Sequence, residues 1–310
     1  MERFDFSNHL VVLDGTALLF RAYFAGFRIQ SPRELEVGAV FGVAQFLHRF
    51  MVRFHPRYVV VAHDAPGPTF RHQQASFYKA HRGAVPRDLR PQFDLVRQLC
   101  TVLGFPSYWK EGYEADDLMA TLAMLSHESG LDCTLVSEDK DLCQLVRDDL
   151  PSTTLYSQRK ETVYDEEGVV QRMGVPPSTI VDLLAMVGDS SDNIPGIRGV
   201  GDKTARALLQ EFGSLEELYA HLEHVEELPL RGAKRIRQLL EEGREDVLNS
   251  RELIKLHHDV PLELTADKLK ENTLWRGPLG LEAQHFFHEC IGYSGPLTGF
   301  QRLGQEYDEF

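Results

Sequence analysis

Short apolar runs alternate with amphipathic stretches through the first half of the chain. Leu10-Val11-Val12-Leu13 stops at Asp14-Gly15, Tyr58-Val59-Val60-Val61-Ala62 leads to Asp64, and Cys133-Thr134-Leu135-Val136 stops before the turn from Ser137 to Asp141. Between them, Gly38–Phe54, residues 88–103 and Ala115–Glu128 repeat apolar side chains at helical spacing. Short buried strands alternating with helices predict an α/β domain with a mainly parallel sheet. From about Pro176 the texture becomes helix, turn and helix, with helices expected over residues 178–187, 202–212, 214–221, 234–242 and 245–256 and no convincing strand. The last 45 or so residues are less patterned and finish in Gln305-Glu306-Tyr307-Asp308-Glu309-Phe310, which reads as a solvated acidic end. No internal repeat or low-complexity linker separates the two parts, so they are expected to pack together.

Acidic residues gather where the strand-like runs end. Asp14 and Asp64 follow two of them, Asp139 and Asp141 follow a third, and Glu114, Asp116 and Asp117 open a helix. Asp189 and Asp192 open the later glycine-rich turn. Ligands of an open α/β sheet bind beyond the carboxyl ends of its strands, so these loops would deliver their acids to one place. Converging carboxylates raise one another's pKa unless a positive group sits among them. Oxygen ligands without a His or Cys cluster suit a hard cation such as Mg²⁺ and disfavour a dedicated zinc site. Acids also cap helices, and for Asp116 or Asp117 alone that is the better reading. The coincidence of several loops favours a metal site, and two such ions can clamp a phosphodiester during in-line displacement.

Positive charge is segregated too. Residues 70–97 carry Arg71, Lys79, Arg82, Arg87, Arg90 and Arg97 against Asp88 and Asp94, a formal +4, with Phe70, Phe77, Tyr78 and Phe93 interleaved. Lys79 and Arg82 read as contacts to a polyanion, with aromatic neighbours suited to stacking on bases. Arg87, Arg90 and Arg97 read as a solvated helix face. Gly196-Ile197-Arg198-Gly199-Val200-Gly201, followed by Asp202-Lys203-Thr204, lies between two helices. Glycines there let backbone N–H groups approach an anion at a helix start, with Lys203 and Arg206 beside them. The turn lacks the preceding strand of a dinucleotide site and fits a helix–hairpin–helix gripping duplex phosphates. Arg231, Lys234, Arg235 and Arg237 add either another phosphate contact or an exposed face.

Composition complicates this picture. In 310 residues, 33 Lys and Arg face 47 Asp and Glu, a formal charge of −14 that by itself argues against nucleic acid. Discounting the nine clustered acids leaves −5, so the excess marks a site as much as a surface. Four scattered cysteines form no CxxC pair, and the amino terminus lacks the order of a signal peptide. No apolar run approaches the length of a membrane span. A soluble protein of a reducing compartment is expected.

The ordered motifs resemble the bacterial 5′ nucleases, the family of the amino-terminal 5′–3′ exonuclease domain of DNA polymerase I, related to flap endonucleases. They are Val12-Leu13-Asp14-Gly15 through Leu19-Phe20-Arg21-Ala22-Tyr23, His63-Asp64-Ala65-Pro66-Gly67 with Phe70-Arg71, and Tyr78-Lys79-Ala80-His81-Arg82. Glu114-Ala115-Asp116-Asp117, Asp139-Lys140-Asp141 and the run from Met186 to Gly196 complete the set, which spans about residues 8–264. The resemblance implies a PIN-like nuclease domain over residues 1–176 with a mobile helical arch or clamp around 68–92. It implies a helix–three-turn–helix DNA-binding region over 177–264, and residues 265–310 are expected to pack on the core as an extension. It further implies metal ligands at Asp14, Asp64, Glu114, Asp116, Asp117, Asp139, Asp141, Asp189 and Asp192, and catalytic cations at Lys79, Arg82 and Arg21. Substrate contacts are implied at Tyr78, Arg71, Gly196, Gly199, Gly201, Lys203 and Arg206.

Two or more Mg²⁺, with Mn²⁺ as a substitute, and K⁺ at the hairpin would be the cofactors. The expected activity is two-metal hydrolysis of 5′ flaps and 5′ ends of duplex DNA, leaving 5′-phosphate products. The partners would be branched or nicked DNA, including RNA-primed ends, the protein acting as a cytoplasmic, nucleoid-associated monomer. The end at residue 310 reads as a free-standing nuclease. Two positions depart from the family pattern: Glu138 stands where glycine is usual, and His63 where an apolar or aromatic residue is usual. Glu138 keeps open a non-catalytic branched-DNA-binding module with an impaired metal site, and a PIN-like ribonuclease is a further alternative.

Overall fold

The structure, a computed structural model, describes residues 6–308. Strands β1 (His9–Asp14), β2 (Tyr58–Ala62), β3 (Ser107–Tyr108), β4 (Asp132–Val136), β5 (Thr153–Ser157) and β6 (Thr162–Tyr164) form one sheet in the order β3-β2-β1-β4-β5-β6. The first five are parallel and β6 is an antiparallel edge. The chain leaves β1 on one side to make β2 and β3, then crosses to the other side for β4. That reversal opens a crevice at the carboxyl ends of β1 and β4. Leu13 is in register with both Val61 and Val136, which brings the residues after β1, β2 and β4 to a common edge.

β1 is buried on both faces, and its alternate side chains enter different cores. Leu10 and Val12 join a core that includes the helix Ala115–Glu128 and the helical half, with Leu183, Leu208, Leu240 and Leu253 buried in it. Val11 and Leu13 join the opposite core, against Gly38–Phe54 and Arg90–Val102. The two parts of the chain therefore share the sheet as a wall. Ahead of the hairpin, Gly188–Asp189 pairs with Ile194–Pro195, a two-residue antiparallel ladder in a region where no strand was expected. Gly188 takes a φ of +85°, and a side chain on Gly196 would overlap the Val187 backbone.

The carboxyl-terminal segment is more ordered than its pattern suggests. It forms the helices Ala266–Thr273, Gly280–Phe286 and Gly295–Asp308, with a π turn at Phe287–Ile291. Trp275, Phe286, Phe287 and Phe300 are buried in the second core, and Trp275 Nε1 donates to the Leu103 carbonyl at 2.9 Å. The π turn and the Gly-Pro stretches interrupt the 3.6-residue period, which hides these helices from a periodicity reading. Of the expected solvated end, Gln305 and Glu306 are exposed, but Tyr307 is a correction: its ring packs 4.8 Å from Trp275 and its hydroxyl donates to the Pro56 carbonyl. Glu309 and Phe310, like residues 1–5, lie outside the described residues.

The segment expected as a helical arch is different as well. It contains one five-residue helix, Phe70–Gln74, followed by turns up to Arg90. Among the described residues no helix is long and apolar enough to cross a membrane. All four cysteines are free, three of them buried, consistent with packing roles.

Candidate active site

Asp14 ends β1 and caps the helix Gly15–Phe24, its Oδ1 accepting from Ala17 N at 2.8 Å. Its Oδ2 accepts from Ser137 Oγ at 2.9 Å, a bond that spans the β1/β4 crevice. Burial, with Asp64 and Asp139 nearby, pushes the Asp14 carboxyl up to about 7 despite these bonds. Asp64 follows β2, accepts from Ala115 N at 2.7 Å and is raised by burial and by Glu114. Asp116 is raised well above the carboxylate range by burial and by Asp139 and Asp14. Asp141 is pushed up to about 7 by burial, Asp139, Asp189 and Asp192. Acids from β1, β2, the helix Ala115–Glu128 and the β4 loop thus feel one another.

Two lysines thread this group. Lys79 Nζ lies 2.7 Å from Glu114 and 3.5 Å from Asp192. Lys140 Nζ lies 2.6 Å from Asp189 and 3.4 Å from Asp141. Burial alone would raise Asp189, but the Lys140 bond holds it below the usual carboxylate range. Asp141 Oδ1, the oxygen that Lys140 faces, is buried and accepts no hydrogen bond among the described residues. Arg82 adds a contact to Asp192 at 2.8 Å. Lys140 was not singled out from sequence, although its place between Asp139 and Asp141 marks it.

Several expected roles need correction. Arg71 is 1% exposed and forms a fork on Asp117, both contacts at 2.7 Å, while donating to the carbonyls of Leu253 and Lys255. It cannot reach a substrate strand. It ties the sheet-containing half to the helix Arg244–Ile254. Asp117 also accepts from the backbone of Glu114 and His257, and despite burial the Arg71 fork holds its carboxyl below the usual carboxylate range. Tyr78 is 2% exposed, with its hydroxyl within 2.7 Å of Glu114 and 2.9 Å of Asp192. Its ring is closed to stacking on a substrate strand. Arg97, expected on a solvated face, donates to the Asp64 carbonyl at 2.7 Å and lies over the Trp109 ring.

Other residues stand apart from the acids. Arg21 donates to Gln158 Oε1, its guanidinium 6.0 Å from the Phe46 ring, and touches none of the acids. Arg206 pairs with Asp202 at 2.9 Å and packs against Gly174, which makes it a brace between helices. Gly196 is set by close backbone approach, while Gly199, with φ +98°, and Gly201, which precedes the helix Asp202–Phe212, remain exposed beside exposed Lys203. His63 is buried, its imidazole pushed down to about 3 by burial and Arg97. Glu138 directs both carboxylate oxygens to the β5–β6 turn.

The carboxylate oxygens of Asp14, Asp64, Asp116 and Asp141, all at raised pKa, are hard donors that fit divalent cations, and two ammonium groups now stand among the acids. Among the described residues, the one trio of ligating side chains with all ligand atoms within 4.8 Å is His221, Glu223 and His224, exposed on the helical half. The sheet-edge acids are more loosely spaced. Donor chemistry decides between the two, since mutual repulsion keeps metal-free carboxylates apart.

Comparison with known proteins places the chain. The model for the 5′-3′ exonuclease N-terminal resolvase-like domain matches residues 9–174, and that for its C-terminal SAM fold matches residues 175–276. DNA polymerase I of Pseudomonas aeruginosa is 40% identical over 261 residues, covering 84% of this chain and 28% of that protein. DNA polymerase I of Bacillus subtilis is 37% identical over 308 residues, covering 97% of this chain and 33% of that protein. The chain thus spans about a third or less of these relatives. In fold it is similar to a bacteriophage T5 5′-exonuclease with bound zinc (TM-score 0.65, 22% identity, 90% of this chain and 97% of that one). It is also similar to human GEN1 in complex with Holliday junction DNA (TM-score 0.63, 14% identity, 97% and 73%).

Proposed function

The chain belongs to the 5′–3′ exonuclease family, and from that premise we propose that it is a structure-dependent 5′ nuclease. Its substrates would be 5′ flaps and 5′ ends of duplex DNA, cut to 5′-phosphate products by a monomer. The observation that carries this reading is the convergence of acids from several loops on the β1/β4 crevice, with Lys79 and Lys140 among them. The T5 relatives of the same fold include a flap endonuclease in complex with DNA and metal ions.

Asp14, Asp64, Glu114 and Asp116 would hold one divalent cation, and Asp139, Asp141, Asp189 and Asp192 a second, with Mg²⁺ favoured and Mn²⁺ as a substitute. When bound, such a pair clamps the attacking and leaving oxygens of an in-line displacement. Lys79 and Arg82, released from Glu114 and Asp192, would meet the scissile phosphate and offset its developing charge. Ser137 and Ala17 N–H hold Asp14, and Ala115 N–H holds Asp64, so these acids keep their orientation as the cations change. Gly199, Gly201 and Lys203 would hold the duplex backbone, with K⁺ at the hairpin.

Product mapping on a labelled 5′-flap DNA tests this. Cleavage is expected in Mg²⁺, with binding but little cleavage in Ca²⁺. An Asp64→Ala protein that cuts at the wild-type rate would refute it.

A further inference from the structure

The turn between β5 and β6 is held unusually firmly. Glu138, one residue before Asp139, accepts from Ser157 Oγ at 2.9 Å and from the Arg159 backbone N–H at 2.7 Å. Ser157 Oγ in turn accepts from the Lys160 N–H at 3.2 Å. The Glu138 carbonyl accepts from Arg172 Nη2 at 3.0 Å, and Arg21 reaches the same turn through Gln158. Glu161 closes the turn at a φ of 51° and pairs with Arg53 at 2.7 Å. One carboxylate at the end of β4 therefore fixes the backbone at the end of β5.

That frame presents cations. Arg159 and Lys160 are exposed, and among the described residues neither has an acidic side chain in ion-pair range. β4 and β5 are parallel with Val136 opposite Tyr156, so Glu138-Asp139 and Gln158-Arg159 leave the sheet side by side. The strand order places the turn beyond Asp139, on the side away from Asp64. Lys79 and Arg82 lie near Asp64, so the acids have cations on both flanks. A preordered turn loses less freedom on holding a ligand than a mobile one.

We propose that the Ser157–Lys160 turn is a phosphate subsite for the DNA backbone, with Arg159 and Lys160 as its contacts, and that Glu138 is its positioning residue. The proposal rests on the nuclease reading. It also gives Glu138 a role opposite to its charge: a carboxylate beside an acidic cluster should repel DNA, yet here it holds the cations that attract it.

The test uses the full chain, a 5′-flap DNA, binding in Ca²⁺ and cleavage in Mg²⁺. The double variant Arg159→Ala, Lys160→Ala should weaken binding about tenfold at moderate salt. It should also flatten the slope of log K against log salt by about 1–2, since each phosphate contact contributes about 0.9. Glu138→Gly should raise KM several-fold, far more than it changes kcat, with the salt slope kept because the cations remain. Glu138→Gln keeps an acceptor for Arg159 N–H and a donor for Ser157, and should bind as tightly as wild type or tighter. If Glu138 acted only by repulsion, Glu138→Gly would tighten binding, and that result overturns the proposal. So does a double variant with wild-type affinity and salt slope. A wild-type chain that neither binds nor cuts flap DNA overturns the nuclease reading first, so the wild-type control separates the two failures.

Discussion

Lys79 and Asp192 are joined twice. The Lys79 backbone N–H donates to the Asp192 carbonyl at 2.9 Å, and its Nζ lies 3.5 Å from the Asp192 carboxylate. Lys79 has a φ of 52°, a left-handed conformation that costs a non-glycine residue on the order of 1 kcal/mol and persists only when neighbours hold it. Asn193 supplies a second clasp, donating from Nδ2 to the Phe77 carbonyl at 2.7 Å. The ammonium group is thereby held 2.7 Å from Glu114, and under the proposed function it would exchange that carboxylate for a phosphate.

Lys79→Ala should therefore lower the flap-cleavage rate about a hundredfold, in line with loss of one preorganised charge-stabilising group. Affinity for the same DNA in Ca²⁺ should change less than about threefold, because one phosphate contact among several is lost. Single-turnover rates beside equilibrium binding check this. An equal loss in both would remove the assigned role.

The raised acids predict how metal-free stability depends on pH. Asp14 and Asp141 have folded values of about 7, above an ordinary carboxylate, so between about pH 4 and 7 the folded state binds more protons than the unfolded one. Stability should be greatest at the acidic end of that window and fall as pH rises through 7. Mg²⁺ should restore stability at pH 8 and do little at pH 5, because ligands must be deprotonated to bind. Thermal melts in EDTA and in Mg²⁺ at the two pH values read this directly.

Arg71→Ala should destabilise the fold by about 3–5 kcal/mol, the cost of leaving Asp117 buried without its partner. Arg71→Lys should recover only part of this, since an ammonium cannot reproduce the fork on two oxygens. Urea denaturation gives the value. Any folded Arg71→Lys protein should keep a near-normal salt dependence of DNA binding, because Arg71 is buried against Asp117.

Tyr307→Ala should cost about 2 kcal/mol, less than a fully buried aromatic, by removing the packing on Trp275 and the hydrogen bond to Pro56. Tyr307→Phe should retain most of the stability. A Tyr307→Ala protein as stable as wild type would mean that the last helix does not brace the core.

Much of the architecture was legible along the chain. Gly38–Phe54, Ala115–Glu128 and Asp202–Phe212 have the bounds their periodicity predicts, and β1, β2 and β4 appear as continuous apolar runs because both their faces are buried. β3, β5 and β6 were missed: two are very short, and Thr153–Ser157 mixes polar residues into a sheet position that tertiary packing covers. Arg71 was expected to touch substrate and Arg97 to lie on a solvated face, since a sequence shows a charge but not the partner that buries it.

By itself, the sequence determined which residue types gather at the strand ends, because acids, glycines and apolar runs each leave a local trace. It marked Asp14, Asp64, Glu114 and Asp141 through their neighbours in the chain. Only the tertiary structure decided that Asp117 is held by Arg71, that Tyr78 is closed over, and that Glu138 faces Ser157. Those pairings join residues from 19 to 114 positions apart. Their physical cause is the crossing of the chain at β1 and β4, which sets distant loops side by side and which no local pattern records.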